Sequence, residues 1–194
     1  MSKGDMLLVD IGAEWGYYTA DVTRTYPVSG KFSKEQAAIY KIVYDAQEAA
    51  FKISKPGTSR KELSDTVLNS VVDGLINVGL LSGIHEEIIK DRSYRKFYMH
   101  GFGHWLGLDV HDSGSRTEDG ESVRMRPGMV YTIEPGVYIT EDEEVDPKWW
   151  NIGVRIEDCI LITENGYELL SKKAPRKIKD IEKLMKKKGL AQKD

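Results

Sequence analysis

The sequence predicts an α+β domain in which helices pack on an antiparallel sheet. The chain opens with a β-like hairpin, continues with two long amphipathic helices and ends in a series of strands. Its 194 residues are 40% hydrophobic and 30% charged, which is the composition of an ordinary globular protein and excludes collagen-like or globally disordered chains. Because we find neither an internal repeat nor a linker, we expect a single domain over residues 1–194.

The first predicted element is the hairpin. Two β-like runs, 6–13 and 17–25, flank a turn expected at Trp15-Gly16. This register places Asp10 directly opposite Asp21, and two facing carboxylates in a buried hairpin require a cation or a shared proton. A register shifted by one residue would instead turn Asp21 to solvent. The residues alone leave both interpretations open.

Two long helices follow the hairpin. Each begins at a capping box, in which a serine and the residue three positions later satisfy each other's backbone N–H groups. The two boxes are Ser33 with Gln36 and Ser59 with Glu62. Apolar residues then recur at helical spacing until Lys55-Pro56-Gly57 ends the first helix and Gly79 ends the second. A shorter helix is predicted over residues 84–92.

Strands resume after a glycine-rich, aromatic stretch. Predicted strands cover Met129–Glu134 and Asn151–Thr163, with the acidic loop 140–150 between them. Asn165-Gly166 then turns the chain into a last strand, Tyr167–Leu170. The strands therefore complete the sheet on which the helices are expected to pack.

The C-terminal segment 172–194 holds ten basic and three acidic residues, within a chain of net charge −3. Basic tails often bind nucleic acid or an anionic surface. Here, however, apolar residues recur at helical spacing, at Ile178, Ile181, Leu184 and Met185. We therefore expect a basic helix docked on the domain with its lysines solvated, and neither a nucleic-acid nor a membrane partner.

The compartment is predicted from what the sequence lacks. No apolar run approaches the roughly 18 residues of a spanning helix, and residues 1–15 lack a signal-peptide core. The single cysteine, Cys159, cannot form an internal disulfide. No neighbouring base supports Cys159 as a nucleophile, so we expect a buried structural thiol. These observations favour a cytoplasmic protein.

A second pair of carboxylates interrupts apolar strands. Glu134 follows the run Val130–Ile133, and Glu157 lies two residues from Arg155, on the same face of its strand. If the two strands are antiparallel neighbours joined by the acidic loop, Glu134 and Glu157 lie close together. The alternative places either glutamate at an edge, paired with a surface lysine.

Three of the four histidines, His100, His104 and His111, lie within twelve residues that also contain three glycines. The glycines favour loop and strand, and they allow the backbone to approach a ligand. The alternative for each histidine is a satisfied core residue. Four carboxylates with at least one imidazole balance two divalent cations and suit Mn²⁺, Co²⁺, Fe²⁺ or Zn²⁺. The residues therefore predict metal-assisted hydrolysis.

These motifs resemble those of the pita-bread metallopeptidases, the family of aminopeptidase P, prolidase and methionine aminopeptidase. The matching segments are Val9–Gly12, Ala20–Thr25, His100–Asp112, Thr132–Gly136 and Arg155–Asp158. The histidine motif is most similar to that of aminopeptidase P, which removes an N-terminal residue preceding proline. The resemblance thus implies a pita-bread fold, a peptide substrate with proline at its second position and two divalent ions, Mn²⁺ first and Co, Zn or Fe otherwise.

The resemblance also implies a role for each motif residue. The implied metal ligands are Asp10, Asp21, His104, Glu134 and Glu157. Asp21 and Glu157 would contact both ions, Asp10 would complete one site, and His104 with Glu134 would complete the other. Glu134 would also act as general base. The remaining implied catalytic residues are His100 and His111, which would line the substrate pocket, and Arg155, which would orient carboxylates or substrate.

One departure from the family pattern concerns the N-terminal side. Family members carry further helices and strands before the first aspartate motif, whereas only nine residues precede Asp10 here. We therefore expect an N-terminally incomplete pita bread with an uncovered sheet edge. Three other functions stay open: a Xaa-Pro dipeptidase of the prolidase type, a catalytically silent peptide-binding module and a metal-free, creatinase-like hydrolase. A homo-oligomer is also compatible with the resemblance.

Overall fold

The computed structural model describes residues 1–142 and 144–187. Within these residues every strand pairing is antiparallel, and the helices pack on the strands around one hydrophobic core. The predicted α+β class is therefore confirmed. None of the helices that the structure describes is both long and apolar enough to cross a bilayer.

The hairpin consists of β1 (Met6–Ile11) and β2 (Val22–Pro27). Its turn lies at Gly16-Tyr17, whose φ angles are +59° and +70°, and the flanking residues Trp15 and Tyr18 pair through backbone hydrogen bonds. A two-residue hairpin turn with positive φ at both positions matches the twist of its strands. The predicted turn at Trp15-Gly16 was therefore one residue too early.

The displaced turn changes the register of the hairpin. Asp10 pairs with Thr23, and not with Asp21 as predicted. The shift is two residues, and a two-residue shift keeps every side chain on its original face. Asp21 accordingly remains inside, with 7% of its surface exposed, and the alternative in which it faces solvent is wrong.

Both long helices begin at their predicted capping boxes. α1 covers Lys34–Ile53 and α2 covers Arg60–Asn77, and α3 follows at His85–Asp91. In each box the serine side chain accepts the backbone N–H three residues later, and that residue's side chain accepts the serine N–H. The fully buried face of α1 includes Val43 and Ala46, and this helix contacts α2 and the strands near the site.

Within the described residues, the remaining strands form two antiparallel pairs and one three-stranded antiparallel sheet. They are β3 (Thr117–Glu118), β4 (Glu121–Ser122), β5 (Val130–Ile133), β6 (Gly136–Ile139), β7 (Ile152–Arg155), β8 (Asp158–Thr163) and β9 (Gly166–Leu169). In the three-stranded sheet β8 lies between β5 and β9, and β6 pairs with β7. The strand predicted over Asn151–Thr163 is therefore two strands, because its halves have different partners. Two residues separate β5 from β6, at Glu134-Pro135, and two residues separate β7 from β8, at Ile156-Glu157. These two interruptions lie opposite each other, because β5 pairs with β8 and β6 pairs with β7.

The C-terminal helix is shorter than predicted. α4 covers Ile178–Met185, and turns precede it. Ile181 is fully buried, and Ile178 and Met185 pack against the core. The last residues of the predicted helix, 188–194, lie outside the described residues.

Arg24 connects the segment before α4 to the sheet. The guanidinium is 3% exposed and donates to the Asp158 carboxylate at 2.6 Å. It also donates to the carbonyl oxygens of Glu157, at 2.6 Å, and of Ala174 and Pro175, each at 3.0 Å. This one side chain thereby connects β2, the start of β8 and the chain leading into α4.

Candidate metal centre

The breaks in the strands place two glutamates side by side. Ile133 and Asp158 form the last pair between β5 and β8, and Gly136 and Arg155 form the first pair between β6 and β7. Glu134 and Glu157 lie between these two pairs. Glu134 and Glu157 therefore face the same gap, as the prediction of neighbouring antiparallel strands required. Outside the regular ladder, their side chains are free to point toward a common ligand.

The histidine motif runs beside β5 and brings His104 to this gap. Thr132 N–H donates to the His104 carbonyl at 2.9 Å, and Glu134 N–H donates to the Phe102 carbonyl at 2.8 Å. Gly103 lies between these two contacts, and a Cβ atom there would stand 1.9 Å from the Thr132 oxygen. Only glycine fits so close an approach of two backbones.

Three predicted ligands form one compact group. The Nε2 atom of His104 lies 3.4 Å from Asp21 Oδ2 and 3.6 Å from Glu157 Oε1. One ligand atom from each of these three residues falls within 4.8 Å of the others. Atoms bound at about 2.0–2.2 Å to one ion lie roughly 3–4 Å apart, so this spacing suits a shared cation. Glu134 borders the group, with Oε1 3.8 Å from His104 Nε2.

A buried oxygen without a partner supports a cation at this position. Glu157 Oε2 accepts a hydrogen bond from the Thr23 hydroxyl at 2.8 Å. Its other oxygen, Oε1, is buried and has no hydrogen-bond partner within residues 1–142 and 144–187. A buried carboxylate oxygen is costly unless it is hydrogen-bonded or coordinates a metal. The residues present therefore fit a divalent ion.

The electrostatics of the group also call for positive charge. Burial, followed by the charge of Glu157, raises the pKa of Asp21 to about 7 and that of Glu134 to about 7. Burial lowers the pKa of His104, but its interactions with Glu157 and Glu134 outweigh burial and raise the pKa to about 9. In the absence of metal, protons therefore partly compensate the crowded carboxylates.

His104 is oriented by its second nitrogen. Its Nδ1–H donates to the Trp105 carbonyl at 2.9 Å, which leaves Nε2 as the ring nitrogen that faces the carboxylates and on which a metal ion would replace a proton. Metal-ligating histidines commonly use such a contact to fix their tautomer. The ring of His111 stands edge-on to that of His104, with 4.3 Å between centroids.

Asp10 lies beside the compact group of three ligands. Its Oδ2 accepts a hydrogen bond from Arg155 Nη2 at 2.6 Å. Burial raises the pKa of Asp10, but its interactions with Thr23 and Arg155 outweigh burial and lower it. Asp10 is also the hairpin partner of Thr23, whose hydroxyl donates to Glu157, so one threonine separates it from the compact group.

A chain of hydrogen bonds continues from Asp10 to His100. Arg155 Nη1 donates to the Tyr138 hydroxyl at 2.9 Å, and that hydroxyl lies 2.9 Å from His100 Nε2. Because His100 Nδ1–H donates to the Gly101 carbonyl at 2.8 Å, Nε2 is the acceptor for Tyr138. The chain thus connects Asp10 at one end of the site to His100, whose Nδ1 lies 3.9 Å from Glu134, at the other.

Part of the candidate site opens into a cleft of about 580 Å³. His100, His104, His111 and Glu134 all line it, so the predicted pocket histidines share one cavity with two of the predicted ligands. A volume of this size is in the range of small-ligand sites, which is about 300–1,000 Å³.

The sequence model of metallopeptidase family M24 matches residues 1–164. The chain belongs to metallopeptidase family M24. Xaa-Pro aminopeptidase from Haemophilus influenzae is 47% identical over 185 residues, which are 95% of this chain and 43% of that protein. Xaa-Pro aminopeptidase from Escherichia coli is 45% identical over 185 residues, which are 95% of this chain and 42% of that protein.

Solved structures of M24 relatives confirm the predicted pita-bread fold. Aminopeptidase PepP of Pseudomonas aeruginosa superposes with a TM-score of 0.93 at 45% identity, over 95% of this chain and 42% of that one. A glutamate-to-alanine variant of Escherichia coli aminopeptidase P in complex with substrate superposes with a TM-score of 0.91 at 45% identity, with the same coverage. The predicted likeness to aminopeptidase P is confirmed, and this M24 chain spans about two fifths of the length of these relatives.

Two residues of this M24 site were missed by the sequence reasoning. Thr23 donates to Glu157 and accepts from Arg155 Nε at 3.3 Å, and Tyr138 joins Arg155 to His100. Both lie an even number of residues from a predicted ligand along extended chain, so alternation was the available signal. Each reads as an ordinary strand residue because threonine and tyrosine are common in strands.

Proposed function

We propose that this M24 chain is a dinuclear metal-dependent peptidase that releases an N-terminal residue preceding proline. The observation that carries the proposal is the group of Asp21, His104 and Glu157, which surrounds a buried carboxylate oxygen with no partner in the described residues. The names of the relatives support the choice of an Xaa-Pro substrate. The proposed partner is accordingly a peptide, in the cytoplasm, with a homo-oligomer compatible with the same function.

The proposed ligand set is Asp10, Asp21, His104, Glu134 and Glu157. Asp21 and Glu157 would contact both ions, with Asp10 completing one site and His104 with Glu134 the other. Mn²⁺ is the first choice because oxygen-rich ligation with one imidazole suits it, with Co, Zn or Fe as the alternatives. When bound, two divalent ions supply Lewis acidity, which promotes ionisation of water and polarises the scissile carbonyl.

The protein's own groups handle the protons and the substrate. Glu134 accepts a proton from the attacking water at its carboxylate and delivers it to the departing proline nitrogen. His100 and His111 position the peptide from the walls of the cleft. Arg155 holds Asp10 and Tyr138 in place through its two terminal nitrogens.

Metal binding is the first test of this proposal. Calorimetric titration of the metal-free chain with Mn²⁺ should give about two ions per chain, and Glu157→Gln should reduce the number or weaken the affinity at least tenfold. Glu164→Gln is the matched control, because Glu164 is exposed in the turn before β9. The absence of bound metal in the unmodified chain would refute the site.

Turnover separates the proposed function from its alternatives. With Mn²⁺ bound, the chain should cleave Ala-Pro-Ala to alanine and Pro-Ala, and Glu134→Gln should abolish cleavage while peptide binding persists. Exclusive cleavage of the dipeptide Ala-Pro would identify a dipeptidase of the prolidase type. Peptide binding with no cleavage by the unmodified chain would identify a silent binding module.

A further inference from the structure

Arg60 lies in the wall of the cleft, and the proposed reaction does not use it. It is the first residue of α2, and its backbone N–H donates to the Val123 carbonyl at 2.9 Å. Its Nε donates to the Tyr131 hydroxyl at 2.8 Å, and its guanidinium carbon lies 5.2 Å from the centre of the Phe102 ring. Backbone, hydrogen bond and aromatic face together fix the position of this guanidinium.

Tyr131 connects Arg60 to the proposed metal ligands. Its side chain is fully buried, and its hydroxyl donates to the Gly103 carbonyl at 2.8 Å, next to His104 in the chain. The same hydroxyl therefore accepts from Arg60 and donates to the histidine motif. Arg60 is thereby held at a defined position relative to the reacting end of the cleft.

A second guanidinium, that of Arg116, lines the same cleft from the exposed side. In the part of the chain that the structure describes, neither Arg60 nor Arg116 has a carboxylate oxygen within 4.0 Å. Arg24, Arg126, Arg155 and Arg176 each do. Among the described residues, the acidic side chains that line the cleft are Glu134, at the proposed metal centre, and Asp112, whose Oδ1 accepts the Ser113 N–H at 2.9 Å.

The cleft is consequently charged differently along its length. Where His104 and Glu134 line it, the cleft adjoins the carboxylates of Asp21 and Glu157. The Arg60 and Arg116 wall instead carries two cations without a carboxylate partner in the described residues. A short peptide has the complementary arrangement, with an amine at one end and a carboxylate at the other. An arginine fork binds a carboxylate through two parallel hydrogen bonds, which suits this wall to a carboxylate.

We propose that Arg60 and Arg116 form a carboxylate subsite, so that the protein favours short Xaa-Pro peptides with a carboxylate beyond the proline. This inference rests on the proposed function, because it places the peptide amine at the metal end. An extended residue spans about 3.3–3.6 Å, so the carboxylate of a tripeptide lies roughly 10 Å from its amine. The carboxylate can come from the C-terminus of a tripeptide or from an acidic side chain at its third position.

Three peptides distinguish these two sources. They are Ala-Pro-Ala, its C-terminal amide and Ala-Pro-Glu amide. Binding to the Mn²⁺-loaded protein is measured by calorimetry, and cleavage is measured as kcat/KM. We expect Ala-Pro-Ala to bind at least tenfold more tightly than its amide and to be cleaved with at least a tenfold higher kcat/KM. Recovery by Ala-Pro-Glu amide would support a side-chain source, and failure to recover would support a terminal carboxylate.

Variants test whether these two arginines provide the preference. Arg60→Met and Arg116→Met should each reduce the ratio between acid and amide at least threefold, leaving cleavage of the amide nearly unchanged. Arg95→Met, at another exposed arginine, is the matched control and should retain the ratio. Should Arg60→Met fail to fold because Tyr131 loses its partner, Arg116→Met alone still provides the test.

The possible failures are distinguishable. If the unmodified protein binds and cleaves Ala-Pro-Ala and its C-terminal amide equally well, the proposed carboxylate subsite is overturned, whereas the proposed peptidase function stands. A preference that survives in both variants would likewise overturn the assignment to Arg60 and Arg116. If none of the three peptides is bound or cleaved, the proposed function itself fails.

Discussion

Replacing Arg24 with methionine should destabilise the domain far more than replacing an arginine in a surface ion pair. Arg24 is 3% exposed and its partner Asp158 is fully buried, with 2.6 Å between Nη2 and Oδ1. Removing one member of a buried pair costs about 3–5 kcal/mol, because the other charge stays buried without compensation. The change also removes the donor to the Glu157 carbonyl, and an unsatisfied buried acceptor costs about 1–3 kcal/mol.

Neighbouring groups reduce this total. Asp158 keeps a hydrogen bond from Gln47 at 3.0 Å, and Arg176 Nε lies 3.9 Å from its carboxylate. The Thr23 carbonyl, another acceptor of Arg24, keeps the N–H of Glu157 at 3.0 Å. We therefore place the expected loss at about 3 kcal/mol, the lower bound for breaking a buried ion pair alone. That is a large part of the roughly 5–15 kcal/mol that stabilises a typical domain.

Urea unfolding of the metal-free protein, followed by tryptophan fluorescence, measures the loss. Arg126→Met is the matched control, since Arg126 makes a two-bond contact to Glu118 at 2.7 and 2.8 Å on the surface. Exposed pairs contribute about 0–1 kcal/mol, so this variant should lose no more than that. Asp158→Asn in the Arg24→Met background should recover part of the loss, because it removes the uncompensated charge. A loss below about 1 kcal/mol for Arg24→Met would refute the reasoning.

Three further predictions concern the metal centre and its supports. Metal binding should release protons at pH 6 and progressively fewer up to pH 9. The reason is that burial raises the pKa of Asp21 and of Glu134 to about 7, and the metal displaces the protons that these carboxyl groups bind. Calorimetry in buffers of different ionisation enthalpy measures this release, and pH-independent metal binding would contradict the prediction. Tyr138→Phe should lower kcat roughly tenfold at unchanged metal stoichiometry. The substitution interrupts the series of hydrogen bonds from Arg155 to His100, at the cost of about one hydrogen bond. An unchanged kcat would show that the reaction does not use these hydrogen bonds. Gly103→Ala should lower the thermal midpoint by several degrees, since its Cβ would meet a backbone oxygen at 1.9 Å; an unchanged midpoint would mean that the two segments separate freely.

The sequence predicted best those features that local chemistry determines. Both long helices begin where the capping boxes at Ser33 and Ser59 place them, because the boxes satisfy backbone donors within four residues. The hairpin turn was misplaced because Tyr17 adopts positive φ, a conformation that usually belongs to glycine, asparagine or aspartate. Its two-residue error did not change which face Asp10 occupies, although Asp10 pairs with Thr23 and not with Asp21.

The pairing of strands that are distant in sequence was harder to predict. The run Asn151–Thr163 is continuous in β propensity, and only the choice of different partners for its two halves breaks it at Glu157. The ligand residues stood out because carboxylates in apolar strands conflict with their surroundings. Tyr138 caused no such conflict, and only its three-dimensional position beside Arg155 and His100 shows its place in the site.

The contacts of Arg24 also bear on where this unit can be cut. The match to the M24 family ends at residue 164, yet Arg24 binds the carbonyl groups of Ala174 and Pro175, and Ile181 is fully buried. A chain ending at residue 164 would expose core surface and remove acceptors from a guanidinium that also binds the Glu157 carbonyl. We therefore expect that a fragment able to keep the candidate metal centre folded has to extend past the family boundary, through α4.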